Sequence, residues 1–176
     1  MKWFFKKLRQ FSRNNRGTAT IEFVFVFPTM MAMLAVMFDT GLIMVKYVVL
    51  EMSLDQVVRE VRLHGIEGGE AGSDYFKQEV CDISPLLTDC ESSLFVEMIP
   101  IDTGTTFVST DATCIDRSAN DQPAIAFVPG VQNDIVYIRA CVVVDRYLPT
   151  TLISIFDTDA SGGLQLIADS AYVVEP

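Results

Sequence analysis

Hydrophobic positions crowd the front of the chain. From Phe23 to Phe38 no residue is charged, and only Glu22 interrupts the run from Thr18 to Phe38. Wound as a helix at about 1.5 Å per residue, that run reaches roughly 32 Å, the thickness of a bilayer's hydrocarbon core. A helix apolar on every side for this length is not the pattern of a soluble core helix. Beyond it the apolar residues thin to one stripe. Leu50, Leu54, Val57, Val58 and Val61 recur at three-to-four spacing, while Glu51, Asp55, Arg59 and Arg62 take other faces. Asp55 precedes Arg59 by four residues, the favourable order for an ion pair on a helix. Gly65 suits the left-handed position after a helix end. The pattern predicts one helix from about Thr18 to His64, with lipid around its first half and a globular domain against one stripe of its second.

The remainder reads as short elements. Gly68, Gly69 and Gly72 suggest a flexible loop. Asp74–Cys81 reads as a short helix with Tyr75, Phe76 and Val80 inward, and Ser84-Pro85 as a cap opening another helical turn. Leu94–Ile101 is strand-like. Asp102–Asp134 is turn-rich, with Thr105–Ser109 and Ala124–Val128 as candidates for short strands. The clearest strand is Asp134–Tyr147, where Val136, Ile138, Ala140, Val142 and Val144 share one face. Its other face, with Tyr137, Arg139, Cys141 and Asp145, is mixed. Pro149 ends it, and a loop through Gly162-Gly163 leads to a final strand, Leu164–Val174. The expected fold class is α+β: a long N-terminal helix, membrane-spanning in its first half and amphipathic in its second, packed on a small, mainly antiparallel sheet.

Charge gives this plan a direction. Lys2, Lys6, Lys7, Arg9, Arg13 and Arg16 precede the apolar run with no acid among them, and the chain from residue 17 onward carries a formal net of −16. Basic flanks stay on the cytoplasmic side, so the amino terminus is expected inside and the acidic domain outside. A nucleic-acid role is disfavoured: the basic patch is short and abuts a span, and the acidic remainder repels nucleic acid. Cys81, Cys90, Cys114 and Cys141 all follow the span, in what this topology makes an oxidising compartment, where an even count favours two disulfides. No CxxC spacing occurs and His64 is the sole histidine, which argues against zinc. Of three possible pairings, Cys81–Cys90 around the Pro85 turn and Cys114–Cys141 are preferred. His64, at the helix end, is expected to face solvent or to cap. One histidine cannot supply the usual catalytic sets, so no catalytic residue, metal or cofactor is expected.

One motif remains. Arg16-Gly17-Thr18-Ala19-Thr20-Ile21-Glu22-Phe23, followed by Val24-Phe25-Val26-Phe27-Pro28, sets a glycine after a basic leader and a carboxylate five residues later, inside the apolar run. It resembles the cleavage and assembly signature of type IV prepilins. The stretch from Arg16 to about Val61 is similar to the TadE-like family of Tad (Flp) pilus proteins. The closing segments Asp134–Tyr137, Tyr147–Pro149 and Ala171–Pro176 resemble that family's last strands more loosely. The resemblance implies that a prepilin peptidase cuts between Gly17 and Thr18. Glycine lets an extended backbone enter a protease cleft, although a plain hinge would also accept it. A carboxylate at membrane depth costs on the order of 2–3 kcal/mol, and cleavage would create its partner, the Thr18 ammonium of the same chain or a neighbour. Glu22, with Phe23 beside it, is therefore the expected assembly site; the alternative is that Glu22 only snorkels to the headgroups. Asp39 is expected at the outer interface. Pro28 should bend or loosen the helix, freeing the Val24 carbonyl. Met30, Met31, Met33, Met37, Met44 and Met52 suit adaptable packing against other helices rather than metal binding.

The expected organisation is a leader over 1–17, a transmembrane segment over 18–45, and an exported domain over 46–176. The length suits a minor pilin or pseudopilin rather than a major one, and adhesion is the process such pili serve. The expected partners are the inner membrane, the peptidase, other Tad pilins and assembly-platform proteins. Two rivals stand beside this reading. One is an unprocessed, membrane-anchored periplasmic binding domain; the other is a secreted enzyme behind an ordinary signal peptide. That signal needs a small-residue A-x-A site, whereas Ala32 and Ala35 are three apart.

Overall fold

The computed structural model describes residues 18–101, 114–115, 126–146 and 163–175. The basic leader with Gly17, the suggested strand at Thr105–Ser109, Pro149 and Gly162 lie outside these residues. The chain divides into two compact units, Met1–Thr40 and Gly41–Pro176.

The first element, α1, is one helix over Thr18–His64. It continues through Pro28, where the Thr29 hydroxyl donates to the Phe25 carbonyl at 3.2 Å. The helix ends where expected: Gly65 has φ of +75° and its N–H bonds the Val61 carbonyl at 2.8 Å. The residue freest to take that dihedral stops the helix.

In the second unit α1 presents its stripe to a sheet. Leu50, Leu54, Val57, Val58 and Val61 are all buried, in one core with Val136, Ile138, Ala140, Val142 and Val144. Burying each such side chain is worth about 1.5–3 kcal/mol. The sheet has three antiparallel strands in the order β1-β2-β3: Leu94–Ile101, Ile135–Val144 and Leu164–Val173. Its register pairs Met98 with Ile138 and Ile138 with Ser170. Phe127 makes a parallel bridge to Met98, so the suggested strand at Ala124–Val128 is, within the described residues, a single rung beside β1. Asp55 accepts from the Ser170 hydroxyl at 3.2 Å, and Arg62 holds Glu175 at 2.5 Å, which ties α1 to the chain's last residues.

Four local expectations need correction. The helix read as Asp74–Cys81 is longer: α2 spans Glu70–Ile83 and takes in Gly72. That glycine is no loop residue, because a Cβ there would lie 1.8 Å from the Glu67 carbonyl oxygen. With Gly72 and Ser73 on the buried side, Phe76 and Val80 point inward and Tyr75 is left 47% exposed. Ser84 closes α2 rather than opening a helix. Its N–H bonds the Cys81 carbonyl, and its own carbonyl accepts from Leu87, so Pro85 sits in a turn. A four-residue helix, α3 over Cys90–Ser93, then leads into β1.

Candidate functional site

The first unit holds the candidate assembly surface. Ile21, Phe23, Val24, Phe25 and Val26 are between 58% and 74% exposed, and the exposure continues through Met33, Met37 and Phe38. The Phe23 and Phe27 rings stack with centroids 5.0 Å apart along the helix. Glu22 stands on this surface, exposed, with no hydrogen-bond or ion-pair partner among the described residues. A carboxylate amid apolar side chains and without a partner among the described residues is costly in hydrocarbon unless a cation is supplied to it. Thr29 and Thr40 differ from it, since each donates its hydroxyl to the carbonyl four residues back and is satisfied locally. From Thr20 to His64 the helix is long and apolar enough to cross a membrane. Asp39, expected at the interface, is buried, as is Lys46 one heptad on.

Residues 17–60 match the model of the family described as TadE-like protein. This stretch of the chain is similar to that family. The match begins at Gly17, takes in Thr18, Glu22, Phe23 and Pro28, and covers about a quarter of the length. The match suggests a Tad pilus-related protein, and the one long apolar helix among the described residues fits a single-pass membrane protein. No curated protein and no solved structure matches the chain.

Outside the TadE-like stretch the site residues are structural. Cys81 is disulfide-bonded to Cys90, with Cα atoms 5.7 Å apart, and Cys114 to Cys141, with Cα atoms 5.4 Å apart. The first bond clamps the end of α2 to the start of α3; the second fixes the described Cys114 to β2. His64 is exposed, its Nδ1 3.3 Å from the Glu60 carbonyl. Among the described residues no three His, Cys, Asp or Glu side chains cluster as a metal site would require.

One polar cluster was not foreseen. Arg139, only 6% exposed, donates from Nε to Asp169 Oδ1 at 3.1 Å and from Nη2 to the Tyr137 hydroxyl at 2.9 Å. Tyr137 in turn donates to Asp169 at 2.5 Å. Burial pushes the Tyr137 phenol up from its ordinary value and the bond to Asp169 adds to this, with Arg139 opposing. Burial pulls the Arg139 guanidinium down, but Tyr137 and Asp169 more than offset it and the net direction is up. The alternating pattern of β2 had put Arg139 on a mixed surface. Only the strand register shows that it stands between Glu97 of β1 and Asp169 of β3.

Proposed function

We propose that the chain is a minor pilin or pseudopilin of a Tad-type pilus, cut between Gly17 and Thr18 and assembled through α1. The observation that carries this reading is Glu22: within a TadE-like segment, it is the only acid from Thr18 to Phe38 and stands exposed on an apolar helix surface. Cleavage at Thr18 supplies the ammonium that Glu22 lacks. In this reading the mature helix lies in the inner membrane, the amino terminus faces the cytoplasm and the disulfide-bonded domain lies in the periplasm. Neighbouring subunits stagger so that one Thr18 ammonium meets another Glu22. The peptidase, the other Tad pilins and the assembly platform are the partners, and the role is assembly rather than catalysis.

Mass spectrometry of the membrane-extracted protein tests it. The expected mature chain starts at Thr18, and replacing Gly17 with Ile leaves the precursor uncut. An intact Met1 in cells that make the peptidase favours the unprocessed anchor. A start beyond Ala35 favours an ordinary signal peptide.

A further inference from the structure

The sheet has a second face, turned away from α1, and the register sorts it into rows. Ile101, Ile135 and Val173 cross the three strands in one row; Ile99, Tyr137 and Ala171 make the next. The third row is charged: Glu97, Arg139 and Asp169. Past it the face is closed, with Phe95, Cys141 and Val143 each no more than 4% exposed. Ahead of it the face is open among the described residues. Val173 is 50% exposed and Ile135 36%, with Ala171 exposed between them and the charged row. A cavity of about 390 Å³ continues this opening to the α1 side, where Arg62 completes its wall. Exposed aliphatic residues beside a partly exposed charge cluster are the composition of a binding surface: an apolar centre with a polar border.

Charge decides what such a surface accepts. Arg139 lies in the rung and donates to Asp169 and Tyr137, while the Asp169 side chain remains 48% exposed. The rung therefore shows solvent a carboxylate. Arg62, the cation at the cavity, is ion-paired with Glu175. A second copy would bring the same acidic domain, and an anionic lipid surface would be repelled likewise.

We infer that the open rows of the sheet, bordered by Asp169, dock a partner protein presenting aliphatic side chains flanked by lysine or arginine. The aliphatic groups cover Ile135, Ala171 and Val173, and the cation reaches Asp169 at the rim. This requires the folded domain alone and holds whether or not Gly17 is cut.

Full-length protein in phosphatidylcholine nanodiscs tests the inference, with a labelled peptide of alternating valine and lysine as probe and a valine–glutamate peptide as its inverse. Fluorescence anisotropy should show saturable binding of the lysine peptide only. Ile135→Lys and Val173→Lys, both at exposed strand ends that tolerate substitution, should each weaken it by about tenfold or more. Asp169→Asn keeps an acceptor for Tyr137 and Arg139 but removes the charge, and should cost several-fold together with part of the salt dependence. Leu86→Lys, on an exposed side chain between α2 and α3, should change nothing. Equal binding of both peptides, no binding, or an equal loss in Leu86→Lys overturns the inference. So does sedimentation showing that Ile135→Lys turns a dimer into a monomer, which would give the face to a second copy.

Discussion

The two halves of α1 have the same backbone and opposite surroundings. Between Ile21 and Phe38 the apolar side chains point in every direction and stay exposed; from Leu50 to Val61 only one stripe is apolar, and it is buried to within a few per cent. Helix propensity does not separate them, since both halves are hydrogen-bonded helix. What differs is where the burial partner comes from. The second half carries its partner in its own sequence, as β2 and β3. The first half has none among the described residues, so its exposure is a demand on lipid or on other helices, and Glu22 is the one charged group in that demand.

Removing that term should give the largest effect. Glu22→Ala keeps the span and the Gly17–Thr18 bond, so the protein should still be cut and retained in the membrane. In the proposed assembly, what disappears is the pair with a neighbour's Thr18 ammonium. Breaking one side of a buried pair costs about 3–5 kcal/mol, or more than a hundredfold in association. Immunoblotting and electron microscopy should find mature-length protein and few or no pili, and Glu22→Gln should behave alike. Normal piliation in both variants would reduce Glu22 to a snorkelling residue. Loss of cleavage in both would move it into peptidase recognition.

A matched pair of truncations probes the contrast itself. Leu54→Ala empties a buried site and should cost the domain about 2–5 kcal/mol in chemical denaturation of the detergent-solubilised protein. Phe25→Ala removes a larger side chain from the exposed half, yet should shift the same transition by less than about 0.5 kcal/mol. Equal losses would mean that the two halves do not differ in the way described.

The smallest expected effect is alkaline. The folded Tyr137 phenol titrates above the ordinary value of about 10, so in that window the folded state binds the proton and the unfolded state releases it. Stability should then be flat below about pH 10 and fall as pH rises through the folded value. Denaturation midpoints in Tyr137→Phe should lose this part of the slope, whereas an unchanged profile would assign it to other groups.

Where the sequence was readable, neighbours along the chain or strict periodicity set the structure. The helix stop at Gly65, the strand Leu94–Ile101 and the inward face of β2 all belong to this kind. What escaped was decided by contacts distant in sequence or by register. Gly72 looks like loop until the Phe127 ring, 55 residues on, is seen to pack against it, and with that glycine unplaced the inward face of α2 falls to Tyr75. Arg139 looks like surface until β1 and β3 bring Glu97 and Asp169 alongside, because which residues face one another is a property of three strands together. At the candidate assembly site the residues were legible and their chemistry was not. Glu22 lies on a helix predicted from pattern alone, but the described residues supply no partner to read.

The position of β3 sets the timing of folding. Leu164, Leu166, Ala168 and Tyr172 close the core over the stripe of α1, and Ser170 meets Asp55 across 115 residues of chain. A chain threaded from its amino terminus presents α1 first and β3 after β1 and β2, so the cover of the stripe stays incomplete until Leu164–Val173 has emerged. Contacts of such long separation close slowly, and apolar surface left waiting invites aggregation or proteolysis. A nascent chain stalled before Leu164 is therefore a natural client for a chaperone, which would cover Leu50, Leu54 and Val57 until the last strand arrives.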